Sequence, residues 1–342
     1  MRYDTDFPVF GLPMSFLSLV IVFLLEQLHP LSHERRLSQW LRAWADFLER
    51  HVNAGSDQHG ILGTALFLLP PVFLTGALWW LAWQAGWLPL FLLNVLILSV
   101  TMGFRGFSHV YAEIQLALRL DEREKAEALL AEWRGEALDT RQNESEIARL
   151  AIETALAAAH HRVFAVMFWF SLAGPLGALL YRLLHLLSRH WQAQKDGFGK
   201  FAQQLFVILD WLPARMTATA FALVGNFLDA MYSWRNLPER AKLPAPEVVL
   251  ATGAGALGVR LGIPMTDISE AHAEADFGAA ADADAMQSAT GLVWRGVVLW
   301  LFFLLQASVF LVLTRTIPDN LLFYFSLVPV LLLILVGFRR AG

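Results

Sequence analysis

The chain has 342 residues, of which 56% are hydrophobic and only 16% are charged, and its net charge is -4. This apolar share exceeds that of an ordinary soluble domain, so it excludes a typical soluble enzyme and predicts an integral membrane protein. Cysteine is absent, which excludes disulfides, iron–sulfur clusters and thiolate zinc sites, and no basic run indicates a nucleic-acid partner.

The N-terminal membrane region, residues 1–104, contains three apolar runs. Residues 12–28, 61–83 and 87–104 are each long enough to cross the roughly 30 Å hydrocarbon layer of a membrane. The first run lacks the basic region and cleavage site of a signal peptide, so we expect it to be retained. Arginines alternate with Trp, Phe and Leu over residues 31–60, which predicts an amphipathic helix on the membrane face. A solvated connector helix is the alternative.

Residues 105–225 comprise a polar segment followed by a mainly apolar one. Residues 105–162 are polar and predict a cytoplasmic, water-facing helical segment. Residues 163–225 contain two apolar stretches, 163–187 and 206–224, which are interrupted by Gly174, Pro175, Asp210 and Pro213. Charges and helix breakers at membrane depth face protein or a water-filled cavity. We therefore predict partial or re-entrant helices in 163–225.

The C-terminal part divides into a polar segment and a membrane hairpin. Residues 226–291 are predicted as a cytoplasmic polar segment, and residues 292–342 as a hairpin of two spans, 292–313 and 321–338. The predicted fold is thus an all-α, polytopic membrane protein. It has five clear transmembrane helices, two partial or re-entrant helices and a helical cytoplasmic layer.

Orientation follows from the basic residues that flank the spans. Segments 31–60, 105–162 and 226–291 and the tail at Arg339 and Arg340 carry most of the Lys and Arg. Basic segments stay on the cytoplasmic side. The prediction is a bacterial inner (plasma) membrane protein with its N-terminus outside and its C-terminus in the cytoplasm. Basic residues at 189, 195 and 200 favour two re-entrant helices, since full crossing would place them outside.

Several short motifs resemble those of one membrane-protein family and occur in the same order. They are Leu28-His29-Pro30, Ile147-Ala148-Arg149 with Ile152-Glu153-Thr154, Phe168-Trp169-Phe170, the run 174–182 beginning Gly174-Pro175-Leu176-Gly177, Asp210-Trp211-Leu212-Pro213-Ala214-Arg215, and the run 255–262. In these motifs the chain resembles the CobD/CbiB proteins of cobalamin synthesis and their relative AmpE. The likeness covers most of the chain.

The resemblance implies an enzymatic activity, but this sequence lacks several of the family residues on which that activity depends. CobD/CbiB members join cobyric acid to an aminopropanol or its phosphate, an amide-forming step that uses a nucleotide and magnesium. In the family, the glutamate matching Glu153 opens a motif with a second Glu, an Asn and an Asp-Gly pair. Counted without gaps, those positions are Ala157, Ala158, His161 and Arg162 here. A Ser-Pro-Asn-Ala-Gly loop of the family is also replaced, at residues 243–247.

These losses favour an inner-membrane protein that is non-catalytic and has a regulatory or ligand-sensing role in the cell envelope, closer to AmpE. One alternative is a membrane-bound, ATP-dependent amide ligase like adenosylcobinamide-phosphate synthase. Another is transport or lipid binding through a cavity lined by Asp210, Arg182 and Arg215. Membrane lipids, a second copy of the chain in a homodimer and an unknown small molecule are the expected partners. The sequence identifies no cofactor.

Seven polar residues are predicted to bind a ligand, and none is assigned a catalytic role. They are Glu153, His160, His161, Arg162, Arg182, Asp210 and Arg215. Charges within membrane segments are functional candidates, although an ion pair that fixes helix packing is the alternative for Asp210 and Arg215. Residues 160–162 are interpreted as a basic collar for an anionic ligand or lipid head group. No metal is expected, on the argument that adjacent histidines on one helix cannot face the same ligand.

Overall fold

The computed structural model describes residues 7–28, 33–53, 57–136, 143–193, 197–237, 245–262 and 278–316. Within these ranges the chain is helical and forms no strand, apart from one isolated bridge between Val259 and Ala279. The helices are α1 (Phe7–Leu28), α2 (His33–Val52), α3 (Asp57–Ala85), α4 (Trp87–Thr101), α5 (Phe104–Arg119), α6 (Arg123–Arg134), α7 (Glu144–Ala159), α8 (Ala165–His190), α9 (Lys200–Val224), α10 (Phe227–Arg235), α11 (Ala245–Leu257) and α12 (Ala283–Thr316). The predicted all-α fold is confirmed.

Five stretches of helix in the described residues are long and apolar enough to cross a membrane. The predicted spans 61–83, 87–104 and 292–313 fall within three of them, in α3, in α4 with α5, and in α12. The predicted first span lies within α1, and the predicted span 321–338 lies outside the described residues. The other two stretches are 144–190 and α9, which contain the predicted partial helices.

The stretch from Glu144 to His190 does not run straight, although its length alone would allow it to cross a membrane. The rings of His161 and His185 are 4.4 Å apart between centroids, whereas in a straight helix the two residues would be about 36 Å apart. The chain reverses at Gly174, whose φ of 63° is accessible to glycine and strained for other residues. Pro175 follows and has no N–H to continue the first helix. The chain therefore folds back on itself within residues 163–187, and whether this hairpin re-enters a membrane stays a prediction.

Several ends of helices meet at one end of the bundle. His190, at the end of α8, contacts Asp46 of α2 at 2.7 Å, and Gly60 near the start of α3 lies against the backbone of Phe198. Residues 189–193 and 197–199 therefore share one end of the bundle with α2 and the start of α3. The placement of the basic segments on one side of a membrane stays a prediction. Which side is cytoplasmic stays a prediction.

The segment predicted as water-facing, residues 105–162, is exposed in one part and buried in another. Helix α6 fits the prediction, since most of its charged side chains are exposed. Helix α7 does not, because from Ile147 onward most of its residues are buried in the main core. Its alanines recur every three or four residues and let α5, α11 and α12 pack closely against it. The boundary predicted at residue 162 lies inside continuous helix.

Helix α2 is amphipathic, as predicted from its sequence. Ala45 and Leu48 are buried against residues of α3 and α8, whereas Trp40 and Phe47 are exposed. Its aromatic side chains stack on one another, with Trp44 between Trp40 and Phe47. An exposed aromatic row suits a membrane face, and that location stays a prediction.

Candidate functional site

A group of polar side chains lies where α7, α8 and α9 meet. His160 and His161 are on a π-helical turn, His160–Phe164, which connects α7 to α8. Tyr181 comes from the second leg of α8, and Asp210 from α9. All four side chains are buried, and His160 and Asp210 are fully inaccessible. We call these four residues the His–Asp cluster.

The His–Asp cluster is centred on the carboxylate of Asp210. Tyr181 donates a hydrogen bond from its hydroxyl to Oδ1 at 2.7 Å, and Nε2 of His160 is 3.0 Å from the same oxygen. Nδ1 of His161 is 3.7 Å from Oδ2 of Asp210 and 3.2 Å from the hydroxyl of Tyr181. The ligand atoms of the two histidines and the aspartate all lie within 4.8 Å of one another.

The hydrogen bonds around His160 define which of its ring nitrogens carries a proton. Thr217 donates its hydroxyl hydrogen to the carbonyl of Pro213 at 2.9 Å, so its oxygen accepts the bond from Nδ1 of His160, 2.9 Å away. Nε2 then faces Asp210 either as the second N–H of an imidazolium or as a free lone pair. Within the described residues, Oδ2 of Asp210 is buried without a hydrogen-bond partner, which is costly for a carboxylate oxygen.

The structure contradicts the argument against two adjacent histidines at one ligand. Both rings approach the Asp210 carboxylate, on opposite oxygens. A π-helical turn contains more residues than an α-helical one, so successive side chains diverge by less than the roughly 100° of an α-helix. The sequence prediction assumed regular helix here, and that assumption was wrong.

Glu153 lies in a separate polar network at the start of α7. It forms an ion pair with Arg149, which also pairs with Glu146. Glu153 accepts a hydrogen bond from the backbone N–H of Gly262 at 2.7 Å. This contact joins two segments that are far apart in sequence, α7 and the loop after α11. We call Glu146, Arg149, Glu153 and Gly262 the Glu–Arg network.

Among the contacts of the described residues, none joins the three predicted arginines directly to Asp210. Arg215 stacks on Trp211 with its guanidinium carbon 4.0 Å from the ring and donates to the Trp211 carbonyl. Arg182 lies 3.4 Å from Nδ1 of His185, and Arg162 is half-buried on the π-helical turn. Because Asp210 is fully buried in a side-chain network, the structure does not support a cavity lined by Asp210, Arg182 and Arg215.

Tyr181, His185 and Thr217 belong to this region and were not among the predicted residues. Tyr181 and His185 meet His161 only because the chain reverses at Gly174. The Gly174-Pro175 pair was the available signal, since a helical hairpin there places the residues on either side opposite one another. Thr217 lies two turns of α9 beyond Asp210 and therefore on the same helical face.

A surface depression lies away from the His–Asp cluster, at the turn between α5 and α6. Its volume is about 780 Å³ and it is lined by charged residues between 121 and 127. Lys125 donates a hydrogen bond to Glu122 at 2.7 Å, and this carboxylate raises the pKa of Lys125. A shallow depression of solvated charges offers few converging groups to hold a ligand.

Comparison with known proteins gives a consistent result. The model of the CobD/Cbib protein family matches residues 17–293. A protein of Stutzerimonas stutzeri named cobalamin biosynthesis protein CobD is 33% identical over 310 residues, which cover 85% of this chain and 97% of that protein. A protein of the same name from Chromobacterium violaceum is 34% identical over 187 residues, 53% of this chain and 59% of that protein.

A more distant relative of the same name, from Leptospira interrogans, is 26% identical over 248 residues, 68% of this chain and 75% of that protein. No solved structure matches the chain significantly. These relatives are named for cobalamin biosynthesis, and the closer resemblance to AmpE stays a prediction.

Proposed function

The chain belongs to the CobD/CbiB family, and from that premise we propose that it is a membrane protein of cobalamin biosynthesis acting at the step that forms an amide between a corrinoid carboxylate and an amino alcohol. The family model covers α1 through the first part of α12. The relative from Stutzerimonas stutzeri aligns over nearly its whole length. Both findings favour a role in the same biosynthesis over the regulatory role favoured by the sequence.

One structural observation supports this proposal most directly. The hydrogen bond from the N–H of Gly262 to Glu153 brings together two of the motif segments on which the resemblance rests. The Glu–Arg network around it holds two partly accessible carboxylates, Glu146 and Glu153, and the buried guanidinium of Arg149. Its net charge of minus one would attract the ammonium group of an amino alcohol.

The residues at the family's motif positions do not fit a magnesium–nucleotide site of the family type. Magnesium prefers oxygen ligands, but Ala157 and Ala158 carry none, and the next two positions are His161 and Arg162. His161 is also directed at Asp210 within the buried cluster. If the chain forms the amide, activation of the carboxylate depends on other residues.

Growth of a bacterial strain that lacks its own CobD/CbiB enzyme tests the proposal. With the chain expressed, we expect cobalamin-dependent growth on cobyric acid, the substrate of the step. The empty vector should support growth only on cobinamide, which lies after it. Absence of growth on cobyric acid, with the chain present in the membrane fraction, would overturn the proposal.

A matched pair of variants connects this test to the Glu–Arg network. Glu153→Gln removes the charge that pairs with Arg149, and we expect it to reduce growth on cobyric acid. Glu247→Gln changes an exposed glutamate on α11 and should leave growth unchanged. Equal growth of both variants would show that Glu153 is not needed for the step.

A non-catalytic, regulatory or ligand-sensing role in the cell envelope is the second candidate. It is favoured by the replacement of the family's Glu, Asn and Asp at residues 157, 158 and 161, and the names of the relatives do not support it. This candidate predicts no growth on cobyric acid, together with a small molecule bound to the purified chain in native mass spectrometry. It also predicts that deletion changes the response to β-lactams.

A further inference from the structure

We propose that the His–Asp cluster binds a divalent first-row transition-metal ion of the zinc class, with His160 Nε2, His161 Nδ1 and the Asp210 carboxylate as ligands. This site is distinct from the Glu–Arg network and from the amide-forming step proposed above. The proposal rests on the positions of the donor atoms, on their burial and on the hydrogen bonds around them.

The distances between the donor atoms suit such an ion. Zinc bonds to imidazole nitrogen and carboxylate oxygen are about 2.0–2.2 Å, so neighbouring donors in a tetrahedral site lie about 3.3 Å apart. His160 Nε2 and His161 Nδ1 lie 3.0 and 3.7 Å from the two Asp210 oxygens. Small movements of these side chains would therefore complete the geometry.

The neighbouring hydrogen bonds prepare the ligands. Because Nδ1 of His160 donates to Thr217, its Nε2 is available as the metal-binding nitrogen. A ligating histidine usually fixes its tautomer by donating its other N–H in this way. Oδ2 of Asp210 has no hydrogen-bond partner among the described residues, and a cation would satisfy this buried oxygen. Tyr181 orients the carboxylate from the other side, through Oδ1.

The ligand types indicate which class of ion is bound. Two imidazoles with one carboxylate favour zinc, iron, nickel or copper over magnesium and calcium, which prefer oxygen ligands. The ligands come from the π-helical turn and from α9, and Tyr181 comes from the second leg of α8. Because the three ligands are buried, we assign the ion a structural role, with water or a neighbouring side chain in the fourth tetrahedral position. Its role would be to tie the fold-back of α8 to α9.

Metal analysis of the purified full chain tests the proposal. The chain is purified in detergent with a tag that contains no histidine, incubated with zinc or cobalt(II), and passed over a desalting column. We expect a stoichiometric ion by mass spectrometry, and visible absorption bands of tetrahedral cobalt(II). A wild-type chain without a stoichiometric ion under both conditions would overturn the proposal, regardless of how the variants behave.

Variants locate the ion. Asp210→Asn and His161→Gln should each lose most of the bound metal. The control His190→Gln changes a histidine that also pairs with an aspartate but lies on the bundle end beside α2, and it should retain the ion. If metal stayed bound in both Asp210→Asn and His161→Gln, the ion would lie elsewhere and the proposal would fail. A variant that does not fold leaves the decision to the wild-type measurement.

Discussion

Two histidine–aspartate pairs in this protein have nearly the same chemistry and very different surroundings. His160 and Asp210 are 3.0 Å apart and neither side chain is accessible to solvent. His190 and Asp46 are 2.7 Å apart, but their side chains are 24% and 47% exposed. The shorter contact is therefore the one that water can replace. Burial, and not distance, should decide which pair matters for stability.

The difference has an energetic reason. An exposed ion pair contributes about 0–1 kcal/mol, since water solvates both partners when the pair separates. Removing one partner of a buried pair costs about 3–5 kcal/mol, because the other charge is left without a partner in a medium of low dielectric constant. Among the described residues, two further groups converge on the buried pair, Tyr181 and Thr217.

The largest expected effect is that of Asp210→Asn. We expect it to destabilise the chain by about 3–5 kcal/mol, because His160 loses the charge that faces it. The matched control Asp46→Asn should cost less than about 1 kcal/mol. Unfolding in detergent, followed by tryptophan fluorescence, measures both. Equal effects of the two variants would contradict the comparison.

Tyr181→Phe should have the next largest effect. It removes the hydroxyl that donates to Asp210 and leaves the ring in place, so we expect a loss of about 1.5–3 kcal/mol, the range for hydrogen bonds to charged groups. Tyr232→Phe, at a half-exposed position on α10, is the control and should change stability little. The same unfolding measurement applies, and a neutral Tyr181→Phe would show that the bond to Asp210 is not made.

Thr217→Val tests whether the tautomer of His160 depends on its neighbour. The substitution leaves Nδ1–H of His160 buried without an acceptor, at a cost of about 1–2 kcal/mol. Thr219→Val, at an exposed position of the same helix, should have no comparable effect. Similar melting temperatures for the two variants would indicate that His160 does not donate to Thr217.

The smallest effect is expected for the exposed pair itself. His190→Gln should lower stability by less than about 1 kcal/mol at low salt. Salt screens exposed charges, so this difference should shrink as salt is added, whereas the cost of Asp210→Asn should not. Unfolding curves at low and high salt measure this difference in stability. If the effect of His190→Gln did not change with salt, the pair would not behave as a solvent-exposed ion pair.

The sequence predicted the parts of the fold that depend on local composition. Long apolar runs predicted α3, α4 and α12, and the Gly174-Pro175 pair predicted a break in the membrane helix. The burial of α7 was missed, because its two glutamates and an arginine at the start resemble a solvated helix. Its alanines form a packing face only once α5, α11 and α12 are in place.

The candidate site was predicted only in part, and for a similar reason. Asp210 was selected as a charge within an apolar segment, and His160 and His161 were selected as part of a basic collar at the start of a membrane helix. That they meet depends on contacts between residues about 50 positions apart. The π-helical turn and the partners Tyr181 and Thr217 follow from tertiary packing, which one sequence does not reveal.

The contact of Tyr181 with the rest of the His–Asp cluster depends on the reversal of the chain at Gly174. The chain has no cysteine, so spin labels can be attached at chosen pairs of introduced cysteines. The pair Arg162→Cys and Leu186→Cys spans the reversal, and the pair Ser288→Cys and Val312→Cys has the same separation along the single helix α12.

Double electron–electron resonance on the detergent-solubilised chain measures both distances. A straight helix predicts about 36 Å between backbone positions for the α12 pair. We expect a distance of roughly half that value or less across the reversal, because the two legs are antiparallel. A distance for the Arg162 and Leu186 positions equal to that in α12 would contradict the fold-back and the cluster built on it.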